Sequence, residues 1–437
     1  MLRINILWTV LLIFLATGCG QPADPPTVTT ATPNIVATDI TITTSSNVDE
    51  RVQRVENGLI PISENGQIDW DENSSIAERM EYYNVQGLSI AVINNNQIEW
   101  SKGYGVLEAS KNQPVTSETL FNACSVAKPV AAAGVLTLVE RGLLDLDEDV
   151  NEKLVSWQVP ENAFTAQEKV TLRRLLSHTS GLNDGFQSGG WESCYATEGE
   201  APDVTVEQML VADPRTGLSA ATHVITIPGG AYRYNNLAYS IVQLLVENVI
   251  KEPFAAFMQS AVLDPLKMSS STFEQPLPLE LRDRATTEHG ASGEPTAGKR
   301  RHYPLLAAGG LWTTPSDLAR FTIELMSAYN GESSAILSQD MANEMLSPQT
   351  EILGHPLENS YGLGMALGDD GGEMRIQHMG GCPWGSNSWL IAYPETGQGA
   401  VVMTNSVSGS TIRAEIVLGI AIEYGWPLVA GVGSSAD

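Results

Sequence analysis

Ser125-Val126-Ala127-Lys128-Pro129, with the apolar run Val130 to Val139 behind it, is the stretch on which the fold turns. A serine and a lysine three apart on a helix share a face, so the ammonium can reach the hydroxyl. The run that follows is apolar except at Gly134 and Thr137, which predicts a helix buried on nearly all sides. Pro129 lacks an amide hydrogen and fits only a first turn, so the helix is expected to begin close to Ser125. Gly142 offers its stop. The serine then sits at the N-terminal edge of a central helix, where unpaired backbone N–H groups stabilise negative charge.

Two later segments supply partners. In Pro228-Gly229-Gly230-Ala231-Tyr232-Arg233-Tyr234-Asn235-Asn236 the proline and glycines mark a turn into a helix near Leu237. Tyr234 and Asn236 are two apart, so an extended loop presents both to one side. Tyr234 is a candidate acceptor for the serine proton if a nearby Lys128 ammonium favours its phenolate. Asn236 is placed to hold the lysine and a substrate oxygen. Read alone, the segment is equally a turn with a packed aromatic and a capping asparagine. The second segment, His378-Met379-Gly380-Gly381, ends a strand and precedes Cys382-Pro383-Trp384-Gly385. Paired glycines in a strand let another group approach the backbone. The Gly381 and Ser125 N–H groups are then the expected oxyanion hole. His378 is expected to add a donor or a pH-dependent charge.

Around these segments the chain alternates in character. Leu88 to Ile93 and Gln97 to Tyr104 read as a hairpin about Asn94-Asn95-Asn96. Tyr361 to Leu367, Met374 to Met379, Ser388 to Tyr393 and Ala400 to Thr404 read as further strands, and Thr411 to Tyr424 as a closing helix. The middle, about 125–346, reads mainly as helices joined by Gly- and Pro-containing loops. Strands at both chain ends with helices between them predict an α/β (α+β) fold. One α/β lobe, about 75–120 and 350–425, is thus expected to be interrupted by a helical lobe of about 121–349.

The 437 residues carry a formal charge of −27. That excess argues against nucleic acid and anionic membrane surfaces as partners. Arg3 and the apolar run Ile4 to Leu15 read as a targeting segment, residues 1–18, too short to span a bilayer. Ala16-Thr17-Gly18-Cys19 resembles a bacterial lipobox with Cys19 as the lipidated first residue; a plain secretory signal is the alternative. The Thr- and Pro-rich stretch from Gly20 to about Glu50 reads as a tether. A catalytic domain of about 51–430 is thus expected on the periplasmic side of an outer membrane, attached through lipid alone.

The three segments together resemble the serine β-lactamase and DD-peptidase superfamily, nearest in pattern to class C β-lactamases, related DD-carboxypeptidases and family-VIII esterases. Ser125–Lys128 matches S-x-x-K. Tyr234–Asn236 matches Y-x-N, and His378-Met379-Gly380 stands where K-T-G or H-x-G is found. Leu175 to Leu182 (LLSHTSGL) and Gly309 to Leu318 (GGLWTTPSDL) are similar as well. The resemblance implies an antiparallel sheet flanked by helices, built from both chain ends with an inserted helical lobe, and acyl transfer through Ser125, assisted by Lys128 and Tyr234, with no cofactor and no metal. His178 is read as structural.

One departure bears on substrate. Where K-T-G offers a cation and a hydroxyl to a substrate carboxylate, this chain has His378 and Met379, and methionine has no comparable donor. Met379 and Gly380 are expected beside the substrate, and free carboxylates are expected to bind less well. An esterase or amidase-type hydrolase follows. A DD-carboxypeptidase, D-amino-acid peptidase or β-lactamase is the alternative, and a silent peptide-binding envelope protein the third. Trp191 and Trp384 are candidate pocket walls. Of the four cysteines, Cys124 is expected as a buried small residue, while Cys194 and Cys382 could pair.

Overall fold

A computed structural model describes residues 48–63, 66–183, 196–197, 204–302, 304–355 and 357–429. The leader, Cys19, most of the tether, Trp191, Cys194 and the chain's last residues lie outside the described residues. Helix α1 (Val48–Asn57) begins inside the stretch expected as tether. Arg54 on it pairs with Glu423 near the chain's far end at 2.7 Å, so this helix belongs to the folded body. Helix α2 (Ile76–Tyr82) opens on a full capping box, Ser75 with Glu78.

The hairpin forms as expected. Strands β1 (Gly87–Asn94) and β2 (Gln97–Gly105) are joined by Asn95 and Asn96, both left-handed at φ 52° and 55°. The nucleophile helix α3 (Ala127–Glu140) follows a single 3₁₀ turn over Cys124–Val126. Helix α4 (Asn236–Ile250) is capped by the Asn235 side chain, which accepts the Ala238 N–H at 3.0 Å. Helix α5 (Pro315–Tyr329) starts with proline in its first turn and a Thr314 cap.

The distal segments give β3 (Thr350–Glu351), β4 (Ser360–Tyr361), β5 (Ala366–Asp370), β6 (Glu373–Cys382), β7 (Ser386–Tyr393) and β8 (Gln398–Thr404), then helix α6 (Gly409–Tyr424). The eight strands form one antiparallel sheet in the order β2-β1-β8-β7-β6-β5-β4-β3. Early and late segments of the chain therefore meet between its second and third strands, where Leu88 sits opposite Thr404.

Each sheet face covers a separate core. One contains α3, α4 and α5 with Ala91, Ile376, Leu390 and Val401. The other contains α1, α2 and α6 with Leu88, Ile90, Trp389 and Val402. Strands β1, β7 and β8 feed alternate residues to both, which is why they read as continuous apolar runs rather than alternating ones. Among the described residues no helix is long and apolar enough to cross a membrane.

Candidate active site

Ser125 is half-exposed in the 3₁₀ turn, and Lys128 one turn on is fully buried. The lysine Nζ lies 3.3 Å from Ser125 Oγ, 2.8 Å from Asn236 Oδ1 and 2.7 Å from the Ala308 carbonyl oxygen. Burial drives its pKa well below the usual 10.5, because a desolvated ammonium is costly. A neutral amine has two hydrogens and one lone pair. The two carbonyl-type oxygens take the hydrogens, and the lone pair is left for the Ser125 hydroxyl. This differs from the sequence expectation, in which a charged Lys128 favours a Tyr234 phenolate. The difference arises because no carboxylate appears among the groups hydrogen-bonded to Nζ.

Tyr234 stands on the same side, its ring centroid 4.9 Å from Lys128 Nζ. His178 props it up. That residue takes a left-handed φ of 59°, and its carbonyl accepts the Arg233 N–H at 2.7 Å. Its Nδ1 accepts the Asn235 N–H at 3.2 Å, and its ring lies 4.3 Å from that of Tyr234. His178 thus clamps the loop that carries Tyr234, while burial keeps its imidazole neutral. The two asparagines divide the labour that the sequence left open. Asn235 caps α4 and Asn236 faces the lysine.

Strand β6 forms the opposite wall. Its pairing with β5 ends at Gln377–Ala366, so the edge from His378 onward is open on that side. A Cβ on Gly380 would lie 2.4 Å from the Ala123 oxygen and 3.1 Å from the Ser125 nitrogen. The group that needs this glycine is therefore the nucleophile turn itself, not the substrate. Ser388 on β7 ties the same turn by donating to the Ala123 carbonyl at 2.6 Å. Gly381, next along, is exposed. The Ser125 and Gly381 amides are thus carried by two segments in direct contact.

Three expectations need correction. Met379 is not beside the nucleophile: strand alternation turns it to the opposite face, where it packs on the second core. His378 does not carry a pH-dependent charge near neutrality, because burial lowers its pKa to about 3. Both its nitrogens are engaged, Nδ1 donating to the Met379 carbonyl at 2.9 Å and Nε2 accepting the Tyr361 hydroxyl at 3.0 Å. Finally, Cys382 bonds Cys124, not Cys194, with Cα atoms 5.8 Å apart. This disulfide joins the residue before Ser125 to the residue after Gly381. Trp384, in the turn that follows, lies 4.1 Å under the Arg301 guanidinium.

Sequence reasoning missed the Ala308 carbonyl, the Tyr361 hydroxyl and the disulfide. The expected strand Tyr361 to Leu367 is instead two strands, split by a turn in which Gly364 has a φ of 91°, and a side chain's partner across the sheet is not legible in sequence. Ala308 sits just before the Gly309-Gly310 stretch already singled out, which was the available signal.

An antiparallel sheet with a helical lobe, and a serine–lysine pair at the start of a buried helix facing a glycine strand, define the class of acyl-serine hydrolase folds. The chain belongs to the beta-lactamase family, whose model matches residues 73–421. Among curated relatives, Protein flp of Staphylococcus aureus (strain MRSA252) is 23% identical over 330 residues, covering 74% of this chain and 60% of flp. The chain thus spans about three fifths of the length of that relative. Esterase EstB of Burkholderia gladioli is 27% identical over 337 residues, covering 70% of this chain and 82% of EstB. Among solved structures, the octameric penicillin-binding protein homologue from Pyrococcus abyssi superposes with TM-score 0.64 at 24% identity, covering 81% of this chain and 77% of its own. The D-amino acid amidase from Ochrobactrum anthropi SV3, complexed with L-phenylalanine, gives 0.64 at 21% identity, covering 87% and 100%. These likenesses speak for the shared fold.

Proposed function

We propose that this chain is a serine hydrolase that cleaves esters or amides through an acyl-Ser125 intermediate. The observation that carries the reading is the desolvated Lys128 amine, its hydrogens engaged by Asn236 and Ala308 and its lone pair left for Ser125. Lys128 takes the Ser125 proton as the oxygen attacks the substrate carbonyl carbon. The oxyanion that forms rests on the Ser125 and Gly381 N–H groups. Collapse breaks the bond to the leaving alcohol or amine, which receives the proton from Lys128, with Tyr234 beside the transfer path. Water then attacks the acyl carbon, gives its proton to Lys128, and releases the acid as Ser125 is reprotonated.

Substrate class follows from charge. His378 is neutral and Met379 faces away, so the His378–Gly381 end of strand β6 offers no cation to a substrate carboxylate. Uncharged esters and amides fit such a wall better than β-lactams or D-alanyl-D-alanine ends. The likeness to EstB supports the ester reading, and that to the D-amino acid amidase keeps amides in view. The motifs resemble those of the class C-related branch, and the resemblance of Ala16-Thr17-Gly18-Cys19 to a lipobox supports reading the chain as a lipid-anchored protein of the cell envelope.

The test is hydrolysis of p-nitrophenyl butyrate and nitrocefin by the wild type and by Ser125→Ala. Ester turnover lost in the variant, with slow nitrocefin turnover, is the expected result. Fast nitrocefin turnover overturns the substrate class. Silence on both turns attention to D-amino-acid peptides and then to a binding role.

A further inference from the structure

We propose that Arg413, on the far side of the sheet from the nucleophile helix, is a positioning residue of the oxyanion hole that orients and polarises the Gly380–Gly381 peptide. The proposal rests on the reading of Gly381 as an oxyanion donor. Arg413 lies near the start of α6 and is 2% exposed. Its Nη1 donates to the Gly380 carbonyl at 3.0 Å and also to the Ser388 carbonyl. Gly380 and Ser388 face each other across β6 and β7. The guanidinium therefore grips the two strands at the rung next to the expected oxyanion site.

The chemistry lies in which peptide is gripped. The Gly380 carbonyl and the Gly381 N–H belong to one planar unit, and in a trans peptide they point in opposite directions. The carbonyl is drawn towards Arg413 and β7. The N–H must then point to the other side, the edge that β5 leaves open beyond Gln377. A charged donor on the carbonyl pulls electron density through the amide and strengthens the N–H as a donor. Chained hydrogen bonds of this kind are estimated to strengthen one another by about 10–30% each, and the low dielectric around a buried group adds weight. Charge-assisted hydrogen bonds are roughly twice as strong as neutral ones, so the peptide plane is also held against rocking. Burial lowers the guanidinium pKa to about 9, which leaves it a cation at neutral pH. The Trp389 ring, 5.7 Å from its central carbon, closes its pocket.

A merely structural arginine would lower stability without touching transition-state binding in particular. Arg413→Gln keeps an N–H donor but removes the charge; Arg413→Lys keeps the charge. Each is measured with p-nitrophenyl butyrate for kcat and KM, with phenylboronic acid as a tetrahedral adduct of Ser125, and by thermal melting. Removing a whole oxyanion donor costs about a hundredfold to a thousandfold in kcat, so weakening one is expected to cost about tenfold. In Arg413→Gln, kcat should fall by about that factor, boronate affinity should fall with it, and KM should stay within about twofold. Arg413→Lys should recover part of both losses, and it carries the test if the Gln variant does not fold. A folded variant with unchanged kcat and boronate affinity overturns the proposal, as does a loss confined to KM. Wild-type protein that neither turns over ester nor binds boronate removes the underlying hydrolase reading instead, and this proposal with it.

Discussion

Lys128 is held by what surrounds it, whereas Gly381 is held by what reaches it from other segments. The lysine rises from a helix packed in the larger core, and its working atom is fixed by a side chain and a carbonyl from the helical lobe. The glycine lies at the end of a strand whose outer edge is unpaired, so packing alone does not fix it. A disulfide, a guanidinium and the Tyr361–His378 hydrogen bond act on its neighbours instead. The comparison teaches that burial in this site tunes proton affinity on one wall, while cross-links set geometry on the other.

The largest effect should come from the wall that tunes proton affinity. Lys128→Met is expected to lower kcat/KM on p-nitrophenyl butyrate by about 10²–10⁴-fold. Its stability relative to the wild type should depend on pH, on top of a pH-independent cost from the acceptors left bare on Asn236 and Ala308. With its folded pKa depressed, Lys128 binds a proton more readily in the unfolded chain, so its presence costs stability at any pH below 10.5. The melting temperature of the variant relative to the wild type should therefore rise as pH falls from about 10.5 to 7. A difference that stays constant over that range would mean that the lysine is charged in the fold, and the contrast between the walls would collapse.

The cross-linked wall predicts the opposite pattern. Cys124→Ala with Cys382→Ala should reduce stability by about 2–4 kcal/mol, read by denaturant unfolding. Since both positions adjoin a proposed oxyanion donor, kcat should fall by up to about a hundredfold, the scale of a small misplacement. Stability lost with kcat intact would show that the strand end is held well enough by its other contacts. Tyr361→Phe strips His378 Nε2 of its donor in a buried setting and should cost about 1–3 kcal/mol. Its kcat should change less than in the double cysteine variant, because no backbone link is cut. The smallest effect is expected from Met379→Leu. A volume-conserving change in the second core should cost less than about 1.5 kcal/mol and leave kcat and KM unaltered. Any shift of KM there would return Met379 to the substrate's side of the sheet.

How far the sequence led differs between the same two walls. Ser125, Lys128, Tyr234 and Asn236 were legible because helix and loop spacings fix their directions locally. The hairpin and three of the distal strands were legible because Asn94-Asn95-Asn96 and the runs of Ile, Val and Ala leave few alternatives, whereas Tyr361 to Leu367 was read as one strand where a turn makes two. The lysine's charge state was not legible, since it follows from burial by segments far off in sequence, Ala308 among its contacts lying 180 residues further on. Met379 was misplaced by a motif position that strand alternation overrides. Cys124 was read only as a buried small residue, which it is, and its bond was missed because the partner is 258 residues away and sequence carries no rule for connectivity. Arg413 went unnoticed for the same reason: one arginine in an apolar helix says nothing of the carbonyl it will meet.

The pairing of Leu88 with Thr404 has a consequence in time. The hairpin, the nucleophile helix and its lysine are all synthesised long before the strands that complete their sheet. Closing a loop of this length costs entropy that only the finished sheet can offset. A growing chain therefore holds a serine and its base with no oxyanion strand opposite them. Chemistry has to wait for the last forty or so residues, and a chain cut short before β8 would carry the full motif set and still be silent.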